Sequence, residues 1–396
     1  MTAARPRVGL LGFGHAEPPT VRGNDDPIFD WIHANDPTHG QLFAGYVNRR
    51  VLADGEEIET FMVDAAQSAL TNSGLDAADI DMLLGFTSVS AYANPNGLAQ
   101  VHAALGLAER CWVMPINTDF SNYPAALMIA DGLIAAGRAR NVLVVCGSNW
   151  TRHVNYHTPQ CVSAGDGAGA AVIGLTTDPS RWRVVDHEAS FHTGGYGQMF
   201  MQGDLLDGAA PAQMDPPFTD SFSRPYFHIT GRGITEYKIF GVEEPPKVVA
   251  RLLERNAIAG SAIALIAHQP SSYLLNAWQR AIGPAQMLDT IEQFANLAIG
   301  NLAVTLAVRW TEIKTNYLVL LGMGPEPHAS ALLLRRAGRK IWAALALQVD
   351  YPIGRVGLNN ERGYQRLLYE NVGNWFDPLR GDPRFKTFLK KVGLEK

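Results

Sequence analysis

Short runs of consecutive apolar residues recur at 8–12, 82–86, 142–146 and 170–175, each with Gly, Asn or Asp at an end. A run of strand length without polar alternation predicts a strand buried on both faces. Between these runs the pattern changes period. In EIETFMVDAAQSALTNS (57–73) and PAALMIADGLIAA (124–136) apolar residues return every three to four positions, which predicts helices with one face on a sheet. Strands alternating with helices predict an α/β protein with layered sheets.

The second half repeats the scheme, with strands expected at 184–189, 263–267, 317–322 and 331–334 and helices at 247–257 and 302–310. NVLVVCGS pairs with NYLVLLGM, and GAGAAVIGL with PHASALLLR, which points to an internal duplication. The junction falls at 176–183, giving an N-terminal half at 1–178 and a C-terminal half at 179–336. From 194 to 232 the chain is rich in Gly, Pro, Asp and Phe with little periodicity. Excursions of that length are usually functional loops or lids, and this one is placed over the mouth of the site. Residues 337–396 continue neither half and end in the basic FKTFLKKVGLEK, which reads as a C-terminal extension.

Composition narrows the function classes. The chain of 396 residues is 47% hydrophobic and 18% charged, enough apolar content for a large core. A net charge of -5 offers no basic footprint for nucleic acid or an anionic membrane surface. The N-terminus has too short an apolar run for a secretory signal, and no stretch reaches the length of a membrane span. The three cysteines, Cys111, Cys146 and Cys161, form no CxxC pair and stand beside no His at ligand spacing, so neither a disulfide framework nor a metal site is expected. A cytoplasmic protein fits best.

Three stretches carry a resemblance: Asp166 to Ala171 in SAGDGAGAAVI, Ala267 to Pro270 in LIAHQPSSYLL, and Phe294 to Gly300 in FANLAIG. In order and spacing they resemble the glycine-rich, histidine and asparagine segments of the ketoacyl synthase III family, and the likeness runs from about Pro6 to Arg335. It implies a thiolase-type five-layer αβαβα sandwich with internal duplication. It also implies an acyl thioester substrate on coenzyme A or an acyl carrier protein, no further cofactor, and a homodimer or a heterodimer with a paralogue, paired through a strand at 113–118.

The family's nucleophile is a cysteine at the turn from a strand into a buried helix, where the helix N-terminus activates a thiol and supplies oxyanion donors. Aligning WVMPINTDFSNYPAALMIAD in register puts Phe120 at that position, and a phenyl ring cannot be acylated. His268 and Asn296 match the family's pair of donors to a thioester carbonyl. Singly, His268 reads as a core histidine and Asn296 as a helix cap; their joint placement favours the functional reading. Ser121, at a helix start, reads first as an N-cap and second as a substitute nucleophile, and Asp119 beside it also reads as a cap. Asp119, Gly322 and Gly324 complete the expected substrate pocket. Trp31 and Arg49 or Arg50 lie near, though out of register with, the family's grip on coenzyme A.

Three functions follow. The first is an acyl-thioester-processing enzyme of secondary metabolism, acting by acyl transfer or decarboxylative condensation without a cysteine nucleophile. The second is a catalytically silent subunit paired with a cysteine-bearing paralogue. The third is a Ser121-dependent O- or N-acyltransferase.

Overall fold

The computed structural model describes residues 6–92, 94–202, 225–325 and 327–337. In the first half the strands are β1 (Arg7–Ala16), β2 (Val21–Arg22), β3 (Arg49–Arg50), β4 (Met82–Thr87), β5 (Trp112–Pro115), β6 (Asn141–Asn149) and β7 (Asp166–Thr176). The second half adds β8 (Arg183–Phe191), β9 (Met199–Gln202), β10 (Tyr226–Ile229), β11 (Ile263–Ala267), β12 (Gln286–Leu288), β13 (Tyr317–Gly324) and β14 (His328–Arg335). The chain folds into two five-stranded sheets, with β2 and β3 pairing as a short separate ladder.

The first sheet runs β1-β7-β6-β4-β5 and the second β8-β14-β13-β11-β12. Read from β1, its joins are antiparallel, antiparallel, parallel and parallel. Read from β8, the second sheet gives the same sequence of joins. The duplication inferred from paired motifs is therefore present strand for strand.

Five layers result because every sheet face is apolar. Helix Ile58–Ser73 lays Met62, Ala65, Ala66 and Ala69 on the outer face of the first sheet, against Val145, Ala170 and Val172. Gly14 of β1 permits the close approach, since a Cβ there would stand 2.0 Å from the Ala65 carbonyl oxygen. Helices Asn122–Ala135 and Asn301–Arg309 fill the middle, with Leu127, Leu302 and Leu306 among Val142, Leu318 and Leu320. Helices Gly231–Arg255 and Ser272–Ile282 cover the outer face of the second sheet through Val248, Leu252 and Trp278. Along β11, Ile263, Leu265 and Ala267 face this outer core while Ala264 and Ile266 face the middle one. That is why the run has no polar alternation. Each fully buried aliphatic side chain contributes roughly 1.5–3 kcal/mol.

The helix expected at 247–257 starts at Gly231, sixteen residues earlier. The helix runs through Pro245 and Pro246. Pro245 has no N–H to give the Gly241 carbonyl, and Trp278 Nε1–H donates to that oxygen instead at 2.7 Å. The proline defect is repaired from the neighbouring helix, which local sequence could not predict.

Within the excursion expected at 194–232, β9 and β10 pair as an antiparallel hairpin. The intervening 203–224 and the extension expected at 337–396, apart from Ala337, lie outside the described residues. Among the described residues no helix is long and apolar enough to cross a membrane, and no cluster of three metal-ligating side chains occurs.

Candidate active site

The site forms where both central helices begin. After β5 the chain makes a 3-10 turn, Asp119–Ser121, and enters helix Asn122–Ala135. Its counterpart makes a 3-10 turn, Ala298–Gly300, and enters helix Asn301–Arg309. Asp119 (φ +47°) and Ala298 (φ +45°) both sit in the left-handed region, which costs a non-glycine residue about 1–3 kcal/mol. Before each turn an asparagine Oδ1 accepts from the backbone two residues on: Asn117 from Asp119 N at 3.4 Å and Asn296 from Ala298 N at 2.9 Å. The shared spacing is N-x-x-x-x-N, Asn117 with Asn122 and Asn296 with Asn301. This repeat is a signal that motif matching alone overlooks.

His268 follows β11, its backbone N–H donating to Leu321 O at 2.8 Å. The next residue fixes the segment: Gln269 Oε1 accepts from Thr290 N at 2.6 Å, and Gln269 Nε2 donates to Thr290 and Thr305 hydroxyls. The imidazole of His268 is buried with neither ring nitrogen partnered, and the Phe120 ring stacks on it at 4.5 Å with 10° between planes. Burial above all, and then the neighbouring His328, hold its pKa down at about 3. The ring is therefore neutral near pH 7, with one nitrogen a donor and the other an acceptor.

Phe120 also lines a cavity of about 710 Å³, walled by Asp119, Trp150, Tyr196, Met199, Phe227 and Ile299 among others. The described ends of the excursion thus line this cavity. Asp119 stands on its wall, whereas Gly322 and Gly324, expected there, are not among its lining residues. A Cβ on Gly322 would meet Ser121 Oγ at 2.5 Å, and one on Gly324 would meet His328 Cε1 at 1.8 Å. Both glycines make room for a pair of side chains, not for substrate directly.

That pair is Ser121 and His328. Ser121 Oγ and His328 Nε2 are 3.0 Å apart and both residues are buried. The expected cap does not form: Ser121 stands at the N-cap position, but its hydroxyl makes no capping bond. Asn296 likewise precedes its helix by five residues and closes the turn instead of capping the helix directly. Phe191 stacks on His328 at 5.1 Å and 2°, fixing the plane of the imidazole.

All three cysteines are buried. Burial pushes Cys146 and Cys161 up to about 12 and Cys111 to about 11, so each is a thiol near pH 7. Asp166, in the glycine-rich segment, is a structural acceptor for Leu52 N and the Thr151 backbone and hydroxyl, with burial raising its pKa to about 6. Arg49 is also structural: it donates to Val162 O and Asn24 Oδ1 among the rings of Phe29, Phe43 and Tyr46. Trp31 stacks on His157 at 4.9 Å.

Known proteins resemble this arrangement. The family described as 3-oxoacyl-[acyl-carrier-protein (ACP)] synthase III matches residues 114–192, which span the Asp119–Ser121 turn and β7. A beta-ketoacyl-[acyl-carrier-protein] synthase III of Coxiella burnetii (strain CbuK_Q154) is 28% identical over 328 residues, covering 81% of this chain and 95% of its own. One from Rhodospirillum rubrum is 29% identical over 287 residues, covering 70% and 83%. The crystal structure of the priming beta-ketosynthase from the R1128 polyketide biosynthetic pathway superposes with a TM-score of 0.71 at 21% identity, covering 85% of this chain and 98% of that one. The chain resembles the ketoacyl synthase III family in sequence and shares the fold of its solved structures.

In this ketoacyl synthase III-like chain, Phe120, His268 and Ser121 come together as their segments suggest, and Asn296 opens the matching turn. His328 is the residue that sequence reasoning missed. Pairing GAGAAVIGL with PHASALLLR sets His328 opposite Ala168, and a histidine intruding into a small-residue strand was the available signal.

Proposed function

We propose that this protein processes an acyl thioester, carried on coenzyme A or an acyl carrier protein, without a cysteinyl intermediate. The reaction is acyl transfer or decarboxylation of a malonyl-type thioester. His268 carries this reading: a neutral, buried imidazole with both nitrogens unpartnered, stacked on Phe120, which lines a large cavity. Buried polar groups are almost always hydrogen-bonded, so an unpartnered donor beside a cavity is suited to a ligand oxygen. A thioester carbonyl supplies one. Asn296 supports the assignment, because its Oδ1 is used by Ala298 N and its amide Nδ2 remains as donor. Such donors are worth roughly 3–4 kcal/mol each to a developing oxyanion, and decarboxylation to an enolate needs donors and no nucleophile.

Phe120 lies at the position that the resemblance gives to the cysteine, so the family's general condensation is unavailable and a specialised product of secondary metabolism fits better. The test is to incubate the full chain with acetyl, longer acyl and malonyl thioesters of both carriers and follow thiol release and carbon dioxide. Thioester-dependent release that falls about a hundredfold in His268→Ala is the expected result. No release from any thioester, together with a requirement for the chain only beside a cysteine-bearing paralogue, would replace this reading with that of a silent subunit.

A further inference from the structure

The mechanism above leaves one buried reactive pair unused. Ser121 Oγ lies 3.0 Å from His328 Nε2, the two residues being 207 positions apart in sequence. Both are almost fully buried, at 3% and 4% exposure. A serine at a helix start would ordinarily cap the helix, but this hydroxyl makes no capping bond and turns to the imidazole instead. Gly322 and Gly324 provide the space, since a Cβ at either would collide with one member of the pair. Phe191 stacks on the ring of His328 and sets its plane.

Three further features belong to a nucleophile's surroundings. Ser121 immediately precedes the buried helix Asn122–Ala135, whose N-terminal end favours negative charge. Unpartnered donors lie in adjoining positions: the Asn122 Nδ2 amide next in sequence, and the ring of His268, which stacks on Phe120, the residue before Ser121. The cavity reaches both chain segments, because Phe120 immediately precedes Ser121 and Pro325 lies three residues before His328, and both Phe120 and Pro325 line it.

We propose that Ser121 is a catalytic nucleophile with His328 as its general base, so that the acyl group passes through an ester on Ser121. The inference rests on the reading that this site takes an acyl thioester, and it names the route. In the tautomer with Nδ1–H, the Ser121 hydroxyl donates to His328 Nε2. As Oγ attacks the thioester carbonyl carbon, its proton moves to Nε2. The C–S bond then breaks and the departing thiolate takes that proton, leaving a Ser121 ester and neutral His328. Water, or the hydroxyl or amine of an acceptor, attacks the ester with His328 again as base, and the proton returns to Ser121 Oγ as the ester bond breaks. Swinging the Phe120 ring off His268 admits the carbonyl. The unpartnered His268 ring and Asn122 amide then donate to the oxyanion.

The test combines intact-mass and peptide-mapping measurements after incubation with acetyl-CoA, butyryl-CoA and p-nitrophenyl acetate. An adduct of one acyl mass on Ser121, stable to neutral hydroxylamine as an ester is, is expected in the wild type. Ser121→Ala should abolish both adduct and thiol release with its thermal melt unchanged, and His328→Asn should slow acylation by roughly a hundredfold or more. Ser121→Cys is the second variant: it should carry the acyl group as a thioester that neutral hydroxylamine cleaves, which a purely structural serine would not predict. Thiol release surviving in Ser121→Ala but lost in His268→Ala would overturn the Ser121 route and leave the thioester reading standing. Absence of both thiol release and labelling in the wild type would overturn both.

Discussion

The ring of Phe120 lies 4.5 Å from the imidazole of His268 and only 10° from parallel to it, and Phe120 also lines the cavity. The phenyl group covers one face of an imidazole whose pKa burial has driven to about 3. Phe120→Ala should uncover that face, and relief of desolvation should move the His268 pKa back toward 6.5. Titration of the labelled imidazole by NMR reads this directly. A ring that stays neutral down to pH 4 in the variant would assign the burial to the other walls.

In the wild type the same depressed pKa makes acid stability depend on His268. The unfolded chain binds a proton there below about pH 6.5, whereas the folded chain resists it until about pH 3. Stability from this group is thus fully present above pH 6.5 and is lost as pH falls through the window to 3, at up to about 1.4 kcal/mol per pH unit. His268→Gln should flatten that part of the stability curve. Denaturant titrations of both proteins across the window measure the difference, and parallel curves would contradict it.

Trp278 and Gly241 offer a test of the fold away from the site. The Gly241 carbonyl would be orphaned by Pro245 without the indole N–H that meets it at 2.7 Å. Trp278→Phe keeps most of the apolar ring and removes the donor, so the loss should be near the desolvation cost of one buried acceptor, about 1–3 kcal/mol. A lowered chemical-denaturation midpoint with an unchanged slope is the expected signature. An unchanged midpoint would mean that water reaches the carbonyl.

The strands were legible because a sheet buried on both faces leaves continuous apolar runs, and β11 coincides with its expected 263–267 residue for residue. The start of helix Gly231–Arg255 was not legible, since the carbonyl that Pro245 leaves without a helical donor is met by a bond from another helix. At the site, segment order sufficed to bring Phe120 to His268. Local propensity misled at Ser121, where a helix-start serine suggests a cap. Its actual partner, His328, lies across the duplicated fold, so only the assembled sheets bring the two together.

β5 (Trp112–Pro115) ends the first sheet, paired through β4 on one side and, among the described residues, through nothing on the other. An open edge invites a further strand, and natural proteins usually blunt or cover such edges. Trp112 on this strand is 66% exposed, a large apolar surface for a residue beside a free edge. The strand is shorter than the expected 113–118 and closes at Pro115, whose missing N–H is tolerated at an edge and not in a sheet interior. We expect two copies, or this chain and a paralogue, to pair here, covering both indoles and leading each strand directly into its Asp119–Ser121 turn. Sedimentation of the isolated chain at micromolar concentration should give a dimer, and Trp112→Lys should shift it to monomer while leaving the melt of the single chain in place. A wild-type monomer that stays monomeric when mixed with a paralogue would refute pairing at this edge.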